Sequence, residues 1–339
     1  MPSKIRLVHD RLLLGPGLSL TFQRTLRIPD DGRDYPLPPG LGAFPVRRVD
    51  DYRDRVPAEW RERGGVFVPM YQREAMWLAF AGEHWKPRAV KVAVGKVCAL
   101  TGRPYSEDLH DDPQDYLVTP PQPWLDGVCV KKGLVRQFVA MPLGMGYTVE
   151  GQITGEESIG GIQLKVFEPK PGRFPDEPPR ALAECGSFGG FPGAAPPPPC
   201  AAPSRGRAAG SMGLAAGGRM KQKIYPDPHG LATWDDEEAS RVFVHIVNTE
   251  LWREITGEKP PESPVTAKEY ERAGLPWFEL YDEGMRSLDA QGALARVKSV
   301  KDLDLEKSGA PLQVDDAVKV GPVKKLLQAV AGSVRDGKW

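Results

Sequence analysis

Long apolar runs are absent from this sequence, and their absence limits where the protein can reside. The first 22 residues contain two short apolar stretches, interrupted by charged residues and a Gly-Pro-Gly turn. A secretory leader needs about 7–15 consecutive apolar residues. No window approaches the ~18 apolar residues of a membrane-spanning helix. We therefore expect a cytoplasmic protein that has no membrane partner.

Cysteine is scarce as well, and its spacing argues against a zinc site. The four cysteines are far apart and form no Cys-x-x-Cys pair: Cys98, Cys129, Cys185 and Cys200. A zinc knuckle needs two thiolates that are close in sequence, so that both reach one ion from a single turn. We expect reduced thiols, no metal and no other cofactor.

Three signature motifs are missing, and each absence removes a class of activity. The sequence has no Gly-x-x-x-x-Gly-Lys-Ser/Thr phosphate loop and no Gly-x-Gly-x-x-Gly turn between a strand and a helix. It also lacks the Gly-x-Ser-x-Gly turn of serine hydrolases. Gly144 and Gly146 instead lie between two predicted strands, which indicates a turn where backbone and ligand can approach closely.

The sequence has no excess of either charge. It contains 45 Lys and Arg residues against 45 Asp and Glu residues. A protein that coats nucleic acid or an anionic membrane carries a positive excess. The basic residues within 205–223 have no aromatic residues between them, although stacking on aromatic side chains is what holds single-stranded nucleic acid. Nucleic acid is therefore not an expected partner.

Glycine and proline are abundant and divide the chain. They account for 37 and 35 of the 339 residues, which indicates many turns. Residues 176–218 are rich in Gly, Pro and Ala, and we predict a disordered loop there. The front part, residues 1–175, and the rear part, residues 219–285, are predicted to complete one β-rich domain, since the rear part alone would bury too little surface. Residues 286–339 are predicted to be a polar tail.

The residue pattern predicts an α+β fold that is mostly β, with a mixed or antiparallel sheet and a few short helices. In residues 89–100 valines alternate with Lys91 and Ala93, the period of a strand. Strands are also predicted over residues 18–28, 114–118, 135–141, 147–154, 161–167, 220–225 and 241–247.

Four segments are predicted to be helical. Residues 70–81 present a broad apolar side, and Pro69 precedes them. Residues 249–256 form a second predicted helix. In residues 266–273, Thr266 and Glu269 have the spacing of a capping box. Residues 323–334 show an amphipathic pattern typical of a docking helix.

Four strings resemble a family of uncharacterised proteins found in bacterial and fungal genomes. They are TLRIPDDG at 25–32, PMYQREAMW at 69–77, RQFVAMPLG at 136–144 and QKIYPDP at 222–228. The similarity covers roughly residues 18–285 and leaves the tail outside. The resemblance implies an intracellular protein, and it implies no activity and no catalytic residues.

The first functional hypothesis is a non-catalytic binding or interaction module, whose partner is a small polar ligand or another protein. Aromatic, methionine and amide side chains beside glycine turns suit a pocket. An arginine near a helix start could also hold an anion. The candidate ligand-binding residues are Arg73, Trp77, Trp124, Asp126, Arg136, Gln137, Met145 and Trp234.

Two alternatives stay open. The first is a hydrolase-type enzyme in which Asp227 orients His229 as a base. Both side chains could instead ligate a metal together with His245 or Glu250, although their convergence does not follow from the sequence. The second alternative is a structural protein that assembles through the edges of its sheet.

Overall fold

The computed structural model describes residues 5–179, 210–274, 276–281, 286–290, 292–311 and 320–327. Strands make up most of the regular structure in this part of the chain. They are β1 (Ile5–Val8), β2 (Arg11–Leu14), β3 (Leu18–Thr25), β4 (Asp34–Tyr35), β5 (Gly40–Ala43), β6 (Arg47–Arg48), β7 (Val66–Pro69), β8 (Ala75–Gly82), β9 (Arg88–Val94), β10 (Val97–Cys98), β11 (Leu117–Thr119), β12 (Trp124–Leu125), β13 (Gly127–Lys131), β14 (Leu134–Pro142), β15 (Ile162–Pro169), β16 (Ser211–Lys221), β17 (Trp234–Val247), β18 (Trp277–Tyr281) and β19 (Val323–Leu327).

The helices are short. They are α1 (Ala58–Arg63), α2 (Val149–Thr154), α3 (Thr249–Thr256), α4 (Ala267–Arg272), α5 (Gly292–Ala295) and α6 (Val300–Ser308), with single 3₁₀ turns at Val49–Tyr52 and Leu231–Thr233. Side chains of Thr148, Asn248, Thr266 and Ser299 accept a backbone N–H at the starts of α2, α3, α4 and α6. The predicted α+β, mostly β fold is confirmed, as are the helix at 249–256 and the capping box of Thr266 and Glu269.

Strands β1 to β17 belong to one sheet, in which most neighbours are antiparallel. Strand β14 pairs with β8 and β13, and also with β16 over most of its length. Strand β15 lies between β9 and β17. Two pairs are parallel, β16 with β4 and β17 with β7. Strands β18 and β19 form a separate parallel pair.

Strands from the front part and the rear part of the sequence are hydrogen-bonded to each other. Strand β15, from the front part, pairs with β17, from the rear part, between Ile162↔Val244 and Pro169↔Trp234. Strand β16 begins at Ser211, so residues 211–218, which the composition assigned to the disordered loop, are a paired strand. Here small residues meet a packing need, because a Cβ at Gly218 would lie 2.5 Å from the carbonyl oxygen of Pro29. Residues 180–209 of the predicted loop lie outside the described residues.

The main core lies on one face of the strands. Residues Val92, Leu164 and Val242 lie opposite one another on β9, β15 and β17, and all three are buried in the main hydrophobic cluster. A second cluster packs Trp60 of α1 and Trp252 of α3 against Phe67 of β7. Since strand side chains alternate between faces, residues next to the buried valines must point to the other side.

Three secondary-structure predictions name the wrong type of element, and two predicted strands, 114–118 and 220–225, are strands over only two residues each. The segment 70–81 is a turn followed by strand β8, whose two faces are both largely buried. Apolar residues on both faces of a buried strand resemble the broad apolar side of a helix. In the predicted strand 147–154, residues Val149–Thr154 form helix α2, which Thr148 caps. Residues Val323–Leu327 are strand β19 instead of a helix, and 328–334 lie outside the described residues.

Among the described residues, none of the helices has both the length and the apolar character needed to cross a membrane.

Candidate functional site

Three cationic side chains stand in one row across three neighbouring strands. Lys165 of β15 is directly opposite Lys91 of β9 on one side and Arg241 of β17 on the other. Directly opposite residues of antiparallel strands point to the same face of the sheet. We call Lys91, Lys165 and Arg241 the cationic row.

The alternation of each strand places this row on the sheet face opposite the main core, which we call the outer face. The buried residues Val90, Val92, Leu164 and Val242 flank the row in sequence and point into the core. Two residues away along the strands, on the same face as the row, are Phe167 and Phe243. The Nζ of Lys165 lies 4.8 Å from the centroid of the Phe167 ring, a favourable cation–π distance.

The row runs from the interior to solvent. The Lys91 side chain is 1% exposed, that of Lys165 is 13% exposed and that of Arg241 is 76% exposed. Like charges directly opposite each other on a sheet repel. A row of three cations therefore needs negative charge close by.

The segment between β10 and β11 supplies that charge. We call residues 105–115 the acidic strap, because Glu107, Asp108, Asp111, Asp112 and Asp115 lie in it. The Glu107 carboxylate bridges two cations of the row, with Oε2 3.2 Å from Lys165 Nζ and Oε1 3.5 Å from Arg241 Nη1. Lys165 also donates to the carbonyl oxygen of Glu107 at 2.8 Å.

Lys91 donates hydrogen bonds to three residues of the acidic strap. Its Nζ donates to Ser106 Oγ at 2.9 Å, to Asp115 Oδ2 at 2.8 Å and to the carbonyl oxygen of Asp108. A lysine ammonium has three N–H donors, so these acceptors use all of them. The ring of Tyr105 lies 5.6 Å from the same Nζ.

Ser106, His110 and Asp115 are neighbours but are not arranged as a nucleophile triad. Ser106 Oγ and Asp115 Oδ2 approach the same ring nitrogen, Nδ1 of His110, at 3.5 Å and 2.9 Å. A catalytic triad uses opposite nitrogens of the imidazole. Lys91 is saturated as a donor, so it is not available as a base for Ser106. The cluster is suited to fixing the strap in place.

The predicted ligand-binding residues fall into separate groups, of which Trp77, Trp124 and Asp126 form one. The two indole rings make an edge contact, with centroids 6.3 Å apart. Trp124 Nε1 donates to Asp126 Oδ2 at 3.1 Å, while Oδ1 of Asp126 has no hydrogen-bond partner among the described residues. Burial raises the pKa of Asp126 to about 8, so this carboxyl group is mainly neutral at pH 7.

A second group contacts helix α6. Arg73 pairs with Asp304, and Arg136 Nη2 lies 3.9 Å from Asp302 Oδ2. The carbonyl oxygen of Met145 accepts from Lys307 Nζ at 2.6 Å. Arg73 is in a turn and not at a helix start, with φ of +69°. A helix of the predicted polar tail therefore contacts all three of these residues.

Gln137 and the glycine turn at 144–146 make internal contacts. Gln137 Nε2 donates to the Leu26 carbonyl at 2.8 Å, and its Oε1 accepts from Ile28 N at 2.9 Å. At the turn, the Glu157 carboxylate accepts from Gly146 N and from the backbone N of Thr148. Burial acts to raise the pKa of Glu157, but the Thr148 hydroxyl, which donates to Oε1 at 2.6 Å, and these backbone donors lower it overall. A carboxylate of the chain itself thus occupies the anion-binding groups of this turn.

Trp234, Asp227 and His229 form the last group. Asp227 Oδ2 accepts from Tyr116 Oη at 2.6 Å and from Trp234 Nε1 at 2.8 Å. Asp227 Oδ1 accepts from the backbone N of His229 at 2.7 Å, not from its ring. The exposed His229 ring makes edge contacts with Phe174 and Trp234. In this geometry Asp227 caps a turn, and it does not orient the imidazole.

His245 lies inside an aromatic stack. Its ring is sandwiched between Trp60 and Phe243, at a centroid distance of 4.4 Å from each. Its Nε2 donates to the carbonyl oxygen of Gly64 at 3.0 Å. Burial lowers the pKa of His245 to about 3. Within the described residues, no three His, Cys, Asp or Glu side chains are arranged to hold a metal ion.

Comparison of the chain with family models, with curated proteins and with solved structures finds no match. The sequence alone does not predict the cationic row or the acidic strap as a functional site. One signal for them was present, since Lys91 and Lys165 interrupt the apolar residues of strands at the outward positions, and an acidic run begins at Glu107.

Proposed function

We propose that the protein is a non-catalytic binding module that holds the oxyanion of a small polar ligand on the outer face of β9, β15 and β17. The observation that carries this proposal is the register of β15, which aligns Lys165 with both Lys91 and Arg241. Charge-assisted hydrogen bonds from Lys and Arg are the usual means of holding carboxylate and phosphate groups.

The contact made by Glu107 supports the same ligand chemistry. Its two oxygens lie against Lys165 and Arg241, as the oxygens of a bound carboxylate or phosphate would. Arg241 is 76% exposed and Glu107 is 51% exposed, so this end of the row is accessible from solvent. An external oxyanion can reach both cations if the Glu107 side chain turns away.

A thermal-shift titration with inorganic phosphate and with acetate tests the proposal, with sodium chloride at the same ionic strength as the reference. Ligands that bind only the native state raise the Tm with concentration. We expect stabilisation by at least one of the two oxyanions beyond the chloride reference. The phosphate and acetate arms distinguish a phosphoryl ligand from a carboxyl ligand.

The double variant Lys165→Gln/Arg241→Gln should lose this stabilisation. A matched control, Lys131→Gln/Lys221→Gln, removes two positive charges from exposed positions on β13 and β16 and should keep it. Equal Tm shifts in the wild type and both variants, or no shift with either oxyanion, would refute the proposed function.

The hydrolase alternative receives less support. Both Asp227 oxygens accept hydrogen bonds from groups other than the His229 ring. That arrangement favours a structural role for Asp227, which a stability measurement can examine.

A further inference from the structure

We infer that residues 106–109 of the acidic strap are an internal competitor for the cationic row. They occupy the row, and a multiply charged oxyanion displaces them. This inference rests on the proposed function. Three observations lead to this inference: the strap is fixed at its ends, it is held in its middle by the row, and its charge opposes that of the row.

Both ends of the strap have contacts that do not involve Lys165 or Arg241. At the first end, Tyr105 N donates to the Lys96 carbonyl at 2.8 Å, and Cys98 N donates to the Arg103 carbonyl at 2.9 Å. At the other end, Gln114 Nε2 donates to the Tyr225 carbonyl at 3.3 Å and Gln114 Oε1 accepts from Asp227 N at 2.8 Å, and β11 follows, paired with β9. The middle can therefore move while both ends stay attached to the sheet.

The middle of the strap depends on the row. Glu107 contacts Lys165 through its carboxylate and its carbonyl oxygen, and it contacts Arg241 through its carboxylate. Ser106 Oγ and the Asp108 carbonyl accept from Lys91. When the middle lifts, the buried Lys91 keeps Asp115 as its negative partner, whereas Lys165 and Arg241 lose theirs, and a ligand oxyanion can replace it.

The charge of the strap indicates which ligand succeeds. A monoanion such as acetate only replaces the single charge of Glu107, so the exchange gains little. A phosphate dianion brings two charges to the same pair of cations and adds further acceptor oxygens, which strengthens each contact. The ligand class is therefore a small molecule with a phosphate-like, multiply charged oxyanion.

The variant Glu107→Gln removes the competing charge and keeps the size of the side chain. We expect phosphate to bind about three- to tenfold more tightly to this variant than to the wild type, the range for losing one or two exposed ion pairs. Asp111→Asn is the matched control: it removes one negative charge from an exposed strap residue and should change phosphate affinity less than twofold.

Hydrogen exchange adds a readout of the strap itself. Ligand binding normally slows amide exchange near its site. Displacement of the strap should instead make the amides of residues 106–109 exchange faster when phosphate is added, while those of β15 slow down.

The outcomes separate the two proposals. If the wild type binds phosphate but Glu107→Gln binds no more tightly, or if residues 106–109 are protected on binding, the competitor inference is wrong and the proposed function stands. If neither the wild type nor Glu107→Gln binds phosphate or acetate, the proposed function fails and the inference fails with it. Phosphate binding by the wild type, with tighter binding to Glu107→Gln and nearly unchanged binding to Asp111→Asn, supports both.

Discussion

Arg73 donates two hydrogen bonds to Asp304, from Nη1 to Oδ2 at 2.8 Å and from Nη2 to Oδ1 at 2.7 Å, across 231 positions of the sequence. Tyr147 Oη donates to the same carboxylate at 2.8 Å, and Asp304 is 1% exposed. This pair joins the turn before β8 to helix α6. Arg73, predicted to hold a ligand anion, therefore binds an anion that belongs to the chain.

Breaking this pair from one side should be more destabilising than removing it altogether. Arg73→Met leaves the buried Asp304 carboxylate without its cation, and such a loss costs about 3–5 kcal/mol. The double variant Arg73→Met/Asp304→Leu removes both charges and should recover part of that loss. Urea denaturation of the wild type, both single variants and the double variant gives the coupling. If the stability losses of Arg73→Met and Asp304→Leu simply add up in the double variant, the two residues are not coupled, which would contradict a buried ion pair.

Replacing Asp227 should destabilise the fold more than replacing His229. Asp227→Ala leaves the buried Tyr116 hydroxyl and Trp234 indole N–H without their acceptor, and each unsatisfied buried group costs about 1–3 kcal/mol. His229→Ala removes only edge contacts of an exposed ring and should cost less than about 1 kcal/mol. Chemical denaturation measures both. Similar losses for the two variants would show that the contacts of Asp227 do not determine its role.

Asp126 should make the protein less stable as the pH rises. Its pKa is raised to about 8 in the fold, against about 3.9 in the unfolded chain. The unfolded chain therefore releases a proton that the folded chain keeps, so stability falls from pH ~4 to ~8 and levels off above that, by roughly 5 kcal/mol in total.

The variant Asp126→Asn cannot ionise, so its stability should lack this contribution. Relative to the wild type, its stability should rise between pH 5 and pH 9, because the wild type loses stability over this range and the amide does not titrate. Urea denaturation at both pH values tests this. A constant difference between the two proteins would mean that Asp126 is already ionised in the fold.

His245 should make the protein less stable as the pH falls. Its pKa is lowered to about 3 in the fold, against about 6.5 in the unfolded chain. The unfolded chain binds the proton first, so stability is lost as the pH falls below ~6.5, by about 2 kcal/mol at pH 5. His245→Phe keeps an aromatic ring between Trp60 and Phe243 and should lose less stability between pH 7.5 and pH 5 than the wild type. An equal loss would contradict a neutral, buried His245.

The strands near the row show what the sequence can predict. The alternation of Val90, Val92 and Val94 with Lys91 identifies a strand and its outward face. It does not reveal which strands are neighbours, because β9, β15 and β17 are separated by turns and by a long segment whose length sets no register. The alignment of Lys91, Lys165 and Arg241 follows from the pairing of distant strands and is not encoded locally.

The contacts of helix α6 show why the residues of the predicted pocket do not lie together. The sequence groups Arg136 and Met145 with Trp77 and Trp124 because aromatic, methionine and amide residues recur beside glycine turns. It adds Arg73 as an anion-binding residue at a predicted helix start. In the fold, side chains of α6 contact Arg73, Arg136 and Met145. Nothing local in the charged segment 286–311 indicates that it packs against the sheet, since half of its residues are polar and only a few of the described ones become buried.

The location of a bound oxyanion tests the central claim most directly. Crystals grown without phosphate or sulfate can be soaked in selenate, a dianion that resembles phosphate in shape, and selenium can be located by its anomalous scattering. We predict a selenium peak in contact with Lys165 Nζ and the Arg241 guanidinium, with the Glu107 carboxylate moved away from both. Selenium bound only elsewhere on the surface, or no selenium peak in fully soaked crystals, would contradict binding at the cationic row.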